Sequence, residues 1–92
     1  MLMKWDGITT DQYEELRKSV NWEGNHPRGA VFHVASFGNN ACHVTDIWES
    51  ANEFNSFIQD RLMPKVAAMG IKSQPQVELF PVHAVFVPAL QN

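Results

Sequence analysis

Cysteine is almost absent from this sequence. Cys42 is the only one in 92 residues, so the chain can form neither an internal disulfide nor a zinc site made of several cysteines. Its first residues also lack the basic segment and apolar core that mark a secretory signal. We therefore expect a protein of a reducing compartment, the cytoplasm.

The sequence also lacks clusters of basic residues and long stretches of apolar residues. Seven basic residues stand against ten acidic ones, and the basic ones form no cluster along the chain, so a nucleic-acid partner is not expected. No stretch approaches the roughly 20 consecutive apolar residues of a membrane-spanning helix, so a membrane partner is not expected either. With a hydrophobic fraction of 45%, residues 1–92 are predicted to fold as one globular domain.

A first helix is predicted directly after Thr9. Thr9 and Gln12 have the spacing of a capping box, in which each side chain bonds the other residue's backbone N–H. Tyr13, Leu16 and Val20 then recur at the spacing of one helical face. We expect this face to pack on a sheet.

A second helix is predicted after Ser50, which has the spacing of a capping box with Glu53. An apolar stripe continues from there to Gly70, which is the expected C-terminal stop. Pro64 lies inside the stripe and has no N–H to donate. The helix should therefore kink or restart near residues 62–65.

Strands are predicted on both sides of these helices. A hairpin of residues 29–37 and 41–49 is predicted, because both segments are rich in Val, Phe and Ile. Asn39 and Asn40 lie between them, and asparagine tolerates the positive φ of a tight turn. A short strand is expected at Leu2–Asp6. The last strand is predicted over residues 77–87, as an edge strand with a bulge at Pro81, since proline is tolerated only there.

The element order β-α-β-β-α-β predicts a ferredoxin-like α+β fold, a four-stranded antiparallel sheet with both helices on one face. Both alternating sets of hairpin side chains are apolar, so the helices would leave an apolar face bare. We expect a second copy to cover it, giving a homodimeric α+β barrel. The face expected to line the barrel carries Val31, Ala35, Phe37, Val44 and Trp48.

The stretch VTDIWESANEFNSFIQDRLMP resembles the D-x-W-E-S-x-x-x-F pattern of the antibiotic-biosynthesis-monooxygenase-like, dimeric α+β barrel superfamily. Trp48, Glu49, Ser50 and Phe54 match it, and a looser similarity covers nearly the whole chain. The resemblance implies the fold but not one reaction, since members include cofactor-independent oxygenases, haem-degrading enzymes and isomerases.

The function expected from this resemblance is the binding of a small planar or aromatic molecule, with a cofactor-independent monooxygenase-like reaction if the protein is an enzyme. A non-catalytic ligand-binding or stress-associated barrel dimer and a lactone isomerase-like enzyme remain open as alternatives. Haem is not expected, because Phe57 and Ala67 stand where haem-degrading members carry a Trp and an iron-ligating His. The sequence therefore predicts a small-molecule ligand and no cofactor.

His33 and Asp46 are the predicted catalytic pair. If Asn39 and Asn40 form a two-residue turn, counting back along both strands places His33 opposite Asp46 and Val31 opposite Trp48. A carboxylate beside an imidazole fixes its tautomer, which suits a general acid or base. A structural pair without a catalytic role fits the same residues. We expect both on the barrel-lining face with Trp48.

Five side chains are predicted to bind the substrate. Trp48, Val31 and Val44 belong to the expected barrel-lining face, and Trp5 and Phe80 are aromatic residues from neighbouring strands. The aromatic ones could stack on a planar substrate, although such residues more often belong to a core. Cys42 and His43 are strand neighbours that point to opposite faces, so Cys42 is expected only to pack. No pair of histidines has the spacing of two metal ligands on one element, and no metal site is predicted.

Overall fold

A computed structural model describes residues 1–90 and shows an α+β fold with a four-stranded antiparallel sheet. Its strands are β1 (Leu2–Asp6), β2 (Ala30–Gly38), β3 (Ala41–Trp48) and β4 (Gln76–Glu78), in the spatial order β2-β3-β1-β4. Helix α1 (Thr10–Ser19) joins β1 to β2, and a second helical region joins β3 to β4. This connectivity is compatible with the predicted ferredoxin-like fold.

The predicted capping box starts α1. Thr9 Oγ1 accepts the backbone N–H of Gln12 at 3.1 Å, and Gln12 Oε1 accepts the backbone N–H of Thr9 at 3.0 Å. These bonds satisfy two groups that the helix leaves without partners. Leu16 and Val20 on the predicted inner face are buried, and Tyr13 is half-buried. The helix therefore lies on the sheet as its apolar spacing predicts.

The second helical region consists of α2 (Ala51–Phe57), a π-helical segment (Ile58–Leu62) and α3 (Met63–Ala68). Pro64 lies in the first turn of α3, where a missing N–H costs nothing, so the predicted restart is confirmed. Gly70 follows with a φ of 72°, as expected for a helix stop. Within residues 1–90, no helix is both long and apolar enough to cross a membrane.

The turn between β2 and β3 has the predicted two residues. Asn39 and Asn40 adopt φ values of 52° and 58°, as a tight type I′ turn requires. Gly38 accordingly pairs with Ala41, and this register continues back to His33. It breaks at Val31, where a bulge leaves Ala30 rather than Val31 opposite Trp48. The predicted pairing of Val31 with Trp48 is therefore wrong.

The last strand is much shorter than predicted. Only Gln76–Glu78 pairs with β1, and residues 79–87 are irregular instead of continuing the predicted strand to residue 87. β4 lies at the sheet edge as expected, but Pro81 is outside any strand and forms no bulge. Pro81 has no N–H to donate to a neighbouring strand, which opposes extension of the strand through this position despite its apolar composition. Val85 and Phe86 remain exposed in the single chain.

The core lies between one face of the sheet and the helices. Its buried side chains come from β1, β3, α1, α2 and α3 and include Met3, Trp5, Leu16, Cys42, Val44, Phe54 and Val66. The opposite face of the sheet exposes Leu2, Phe32 and Val34. The helices thus cover one face, and the uncovered face carries these exposed apolar side chains together with the polar Lys4, Ser36 and Thr45.

Candidate functional site

His33 and Asp46 face each other across β2 and β3. Nδ1 of His33 lies 2.6 Å from Oδ1 of Asp46, and the two residues are paired in the strand register. Asp46 is 5% exposed, and His33 is half-buried. The predicted cross-strand contact is confirmed, and it follows from the two-residue turn at Asn39 and Asn40.

Both carboxylate oxygens of Asp46 accept a hydrogen bond. Oδ1 contacts His33, and Oδ2 accepts the indole N–H of Trp48 at 3.0 Å. The backbone of Asp46 also exchanges two bonds with Met1: the amino terminus donates to the Asp46 carbonyl at 2.8 Å, and the Asp46 N–H donates to the Met1 carbonyl at 2.9 Å. A buried carboxylate with these partners is held in one orientation.

The third member of the site is Tyr13, which sequence reasoning assigned only to the inner face of α1. Its hydroxyl lies 2.7 Å from Nε2 of His33. If Nδ1–H donates to the Asp46 carboxylate, Nε2 is the acceptor and the Tyr13 hydroxyl is the donor. The three residues form a chain of two hydrogen bonds from α1 to β3. The sequence did contain one indication of this role: among Tyr13, Leu16 and Val20 on that helical face, Tyr13 is the only residue with a polar group.

Burial governs the acidity of Tyr13. It raises the pKa of the phenol above its ordinary value, while the nearby positive charge of Arg17 acts in the opposite direction. Tyr13 is therefore neutral at physiological pH and available as a hydrogen-bond donor. Its ring also lies edge-on to Phe37, at a centroid distance of 5.7 Å.

The site faces the helices, which corrects the expectation that His33, Asp46 and Trp48 line the bare side. Tyr13 on α1 contacts His33, and Trp48 packs on Phe54 of α2 at a ring distance of 5.5 Å. The three residues do share a face, as expected. The error arose because both alternating sets of the hairpin are apolar, so the pattern did not indicate which set the helices cover.

A cavity of about 80 Å³ lies between the sheet and the helices beside this chain. Its ionisable lining side chains are Tyr13, Arg17, His33 and Asp46, and the others are apolar or aromatic. An apolar cavity of about 150 Å³ is known to hold benzene. A ligand with one aromatic ring therefore requires side chains around this cavity to move.

Trp22 lies at the mouth of the cavity. Its ring centroid is 4.6 Å from that of His33 and 5.4 Å from that of Phe57. Together with Tyr13, Arg17 and His33, it also lines a shallow depression on the outer surface. Trp22 is half-buried and lies in the loop between α1 and β2.

The five predicted substrate-binding residues divide into two groups. Val44 and Trp5 lie in the cavity wall, where the Trp5 indole N–H donates to the hydroxyl and carbonyl oxygens of Ser73. Trp48 lies behind the wall, against Trp22 and the two phenylalanines of α2.

Val31 and Phe80 do not line the cavity. Val31 is 60% exposed because the bulge breaks its alternation with His33. Phe80 is 61% exposed and borders a surface groove outside the cavity, which Asp46 and Trp48 of the predicted site also line. It leaves the sheet because β4 ends at Glu78.

Cys42 is buried in the core, as expected, and burial raises the pKa of its thiol. In the part of the chain that the structure describes, no three His, Cys, Asp or Glu side chains are grouped so that they could hold a metal ion. No protein-family model matches this chain, and no curated protein sequence is significantly similar to it.

Proposed function

We propose that the protein binds a small planar molecule in the cavity between the sheet and the helices and exchanges a proton with it. The observation that supports this proposal is the hydrogen-bonded chain from buried Asp46 through His33 to Tyr13 beside an apolar cavity. Aromatic walls suit a planar ligand, and a few polar groups at one side suit its orientation.

The buried carboxylate gives the imidazole its role. Asp46 accepts from Nδ1, which leaves Nε2 as the basic nitrogen and stabilises the ring when it gains a proton. A positioned imidazole of this kind accelerates proton transfer by about 10² to 10⁴-fold.

Removal of a proton from a phenol or enol makes the ligand electron-rich. This is the activation that a cofactor-independent monooxygenase-like reaction requires, and such oxygenases are among the members of the superfamily that residues 44–64 resemble. A lactone isomerase-like reaction would use the same base without oxygen. We propose the oxygenase as the first reaction to test, with oxygen consumption as the observation that separates the two.

We further propose that the protein functions as a homodimer, with a second copy on the bare face of the sheet. Leu2, Phe32 and Val34 on this face are exposed large apolar side chains. Exposed apolar side chains that lie together are unfavourable in water and are typical of association surfaces. In this arrangement, the cavities lie on the helical side of each sheet, away from the contact between the two copies.

Binding is tested by tryptophan fluorescence with a panel of one-ring and two-ring phenols, using a matched pair of variants. Val44→Ile adds a methylene in the cavity wall, whereas Val34→Ile adds the same group on the bare face. Overpacking costs roughly 1 to 3 kcal/mol, so Val44→Ile should weaken binding at least about fivefold while Val34→Ile leaves it unchanged. Equal effects of the two variants, or no binding by any phenol, would contradict the proposal.

Catalysis is tested with the ligands that bind. Dissolved oxygen is followed during turnover by the wild-type protein and by His33→Gln, which retains a polar side chain but no base. Oxygen loss that depends on His33 supports the oxygenase, and conversion without oxygen loss supports the isomerase. Binding without any conversion leaves the protein as a non-catalytic binder.

A further inference from the structure

Both ring nitrogens of His33 are already occupied. Nδ1 contacts Asp46 at 2.6 Å, and Nε2 contacts the Tyr13 hydroxyl at 2.7 Å. A ligand in the cavity therefore finds no free nitrogen on His33 unless Tyr13 moves away. The hydroxyl of Tyr13 ends the chain, and a phenolic oxygen that donates one hydrogen bond can still accept another.

From this arrangement we propose that Tyr13 is the catalytic residue that exchanges the proton with the ligand, while His33 receives the proton and Asp46 positions His33. This assignment rests on the proposed function, since it requires a ligand in the cavity. It also names the ligand class, which is a planar compound with an acidic O–H group, such as a phenol or an enol, whose oxygen can reach the Tyr13 hydroxyl.

The proton balance of this step is complete without any other reactant. The Tyr13 O–H bond breaks and its proton forms a new bond to Nε2 of His33, while the ligand O–H bond breaks and its proton restores the Tyr13 hydroxyl. The ligand becomes an anion and His33 becomes an imidazolium, whose Nδ1–H remains bonded to the Asp46 carboxylate. The reverse sequence returns the proton.

Tyr13 serves this role as a relay and not as a standing base. Burial raises the pKa of its phenol, so an isolated tyrosinate is disfavoured in the folded protein. Its proton leaves as another arrives, and the positive charge accumulates on His33, beside the buried carboxylate. The Arg17 guanidinium at the mouth of the cavity further stabilises an anionic ligand, although Glu14 and Glu23 pair with it.

The first experiment uses 4-nitrophenol as the probe, because its anion and its neutral form absorb at different wavelengths, and nitrobenzene as the matched compound without an acidic proton. Burial alone disfavours the anion, so a passive cavity raises the pH at which the bound probe ionises. An adjacent positive charge shifts ionisation the other way by about 1 to 3 pKa units. The wild-type protein should therefore ionise bound 4-nitrophenol at a lower pH than water does.

Tyr13→Phe keeps the aromatic ring and removes the hydroxyl. In this variant, the ratio of anion to neutral bound probe should fall at least about tenfold at fixed pH, which is one pKa unit. Nitrobenzene should bind the variant as tightly as the wild type, which controls for damage to the cavity. Asp46→Asn should lower the same ratio, because the imidazolium loses its carboxylate.

A second experiment leaves the contacts of the wild type in place. Tyr13 is the only tyrosine in the chain, so incorporation of 3-fluorotyrosine places a fluorine label at this residue alone. Saturation with 4-nitrophenol should shift the fluorine resonance of the protein more than saturation with nitrobenzene does. A role limited to joining α1 to the sheet predicts the same small shift for both compounds.

The outcomes separate this assignment from the proposed function. Unchanged probe ionisation in Tyr13→Phe, or equal fluorine shifts for the two compounds, would overturn the role of Tyr13 while leaving ligand binding intact. Failure of both compounds to bind the wild-type protein would overturn the proposed function and this assignment with it. A lower anion ratio in Tyr13→Phe together with unchanged nitrobenzene binding supports the assignment.

Discussion

The indole N–H of Trp48 donates to Oδ2 of Asp46 at 3.0 Å, from two positions further along the same strand. Residues two apart on a strand point to the same side, so β3 itself brings this donor and this acceptor together. With His33 on Oδ1, the carboxylate has one donor on each oxygen. Because both oxygens are used, replacing even one of them by an NH₂ group disturbs a hydrogen bond of Asp46.

We predict that Asp46→Asn destabilises the fold by about 2 kcal/mol. The amide is uncharged and has a single acceptor oxygen, so the His33 and Trp48 contacts can no longer both be hydrogen bonds to a carboxylate, and a buried hydrogen bond to a charged group is worth about 1.5 to 3 kcal/mol. Urea unfolding measures the change. Asp6→Asn is the matched control, because Asp6 is exposed and such changes usually stay within about 0.5 kcal/mol. Equal unfolding midpoints would contradict the prediction.

A second prediction concerns the pH dependence of Tyr13. Burial raises its pKa, with Arg17 opposing and Cys42, Glu14 and Glu23 adding to the rise, so the phenol should titrate above its ordinary value of about 10 in the folded protein. Absorbance of the tyrosinate measures this directly, because Tyr13 is the only tyrosine.

The linked effect on stability has a definite sign. A raised pKa in the folded state contributes stability that is fully present below the unfolded value of about 10 and is lost as pH rises through the folded value. The free energy of unfolding of the wild type should therefore fall relative to that of Tyr13→Phe only above about pH 10. A relative loss that begins near neutral pH would contradict this origin.

A third prediction concerns the turn that sets the register of the site. Asn40 has a φ of 58°, a conformation that costs most residues roughly 1 to 2 kcal/mol. Asn40→Val should therefore destabilise the protein by about this amount, while Asn40→Gly should be neutral or slightly stabilising. Urea unfolding of the two variants measures the difference, and equal destabilisation by both would argue against a conformational cause.

The His33–Asp46 contact was predictable because it depends on local information. A two-residue turn at Asn39 and Asn40 fixes the pairing of every residue before the bulge, whatever the rest of the fold does. The face that the helices cover could not be predicted in the same way. Both faces of the hairpin are apolar, so the covered face depends on how α1 docks on the sheet. The docking of α1 also determines where Tyr13 lies.

The bulge at Val31 and the early end of β4 could not be predicted either, and the reasons are related. Nothing in the composition near Val31 indicates an extra residue, yet the bulge turns this side chain to solvent. Residues 79–87 have the composition of a strand, but a strand also needs hydrogen-bonding partners, and Pro81 removes one donor. Pairing between strands therefore determines where Val31 and Phe80 lie, and it leaves both of these predicted substrate-binding residues outside the cavity.

A fourth prediction uses the single cysteine. Cys42 is buried beneath the helices, and burial raises the pKa of its thiol, so little reactive thiolate is present or accessible at neutral pH. Alkylation by iodoacetamide should be slow in buffer and should accelerate with urea along the unfolding transition. Rapid alkylation in buffer would show that the helices open locally over β3.

The last prediction concerns the bare face of the sheet. The chain has a mass of 10.4 kDa, and light scattering at micromolar concentration should give twice this value if a second copy covers Leu2, Phe32 and Val34. Val34→Lys places a charge on that face, in the edge strand β2, and should weaken association at least about tenfold, because a buried unpaired charge costs several kcal/mol. Gln59→Lys adds the same charge on an exposed helical position and is the control.

A monomeric wild type would rule out the barrel, whereas a dimer that Val34→Lys leaves intact would place the contact on another surface. Because the cavity lies on the helical side of the sheet, dissociated Val34→Lys should still bind the phenols that the wild type binds.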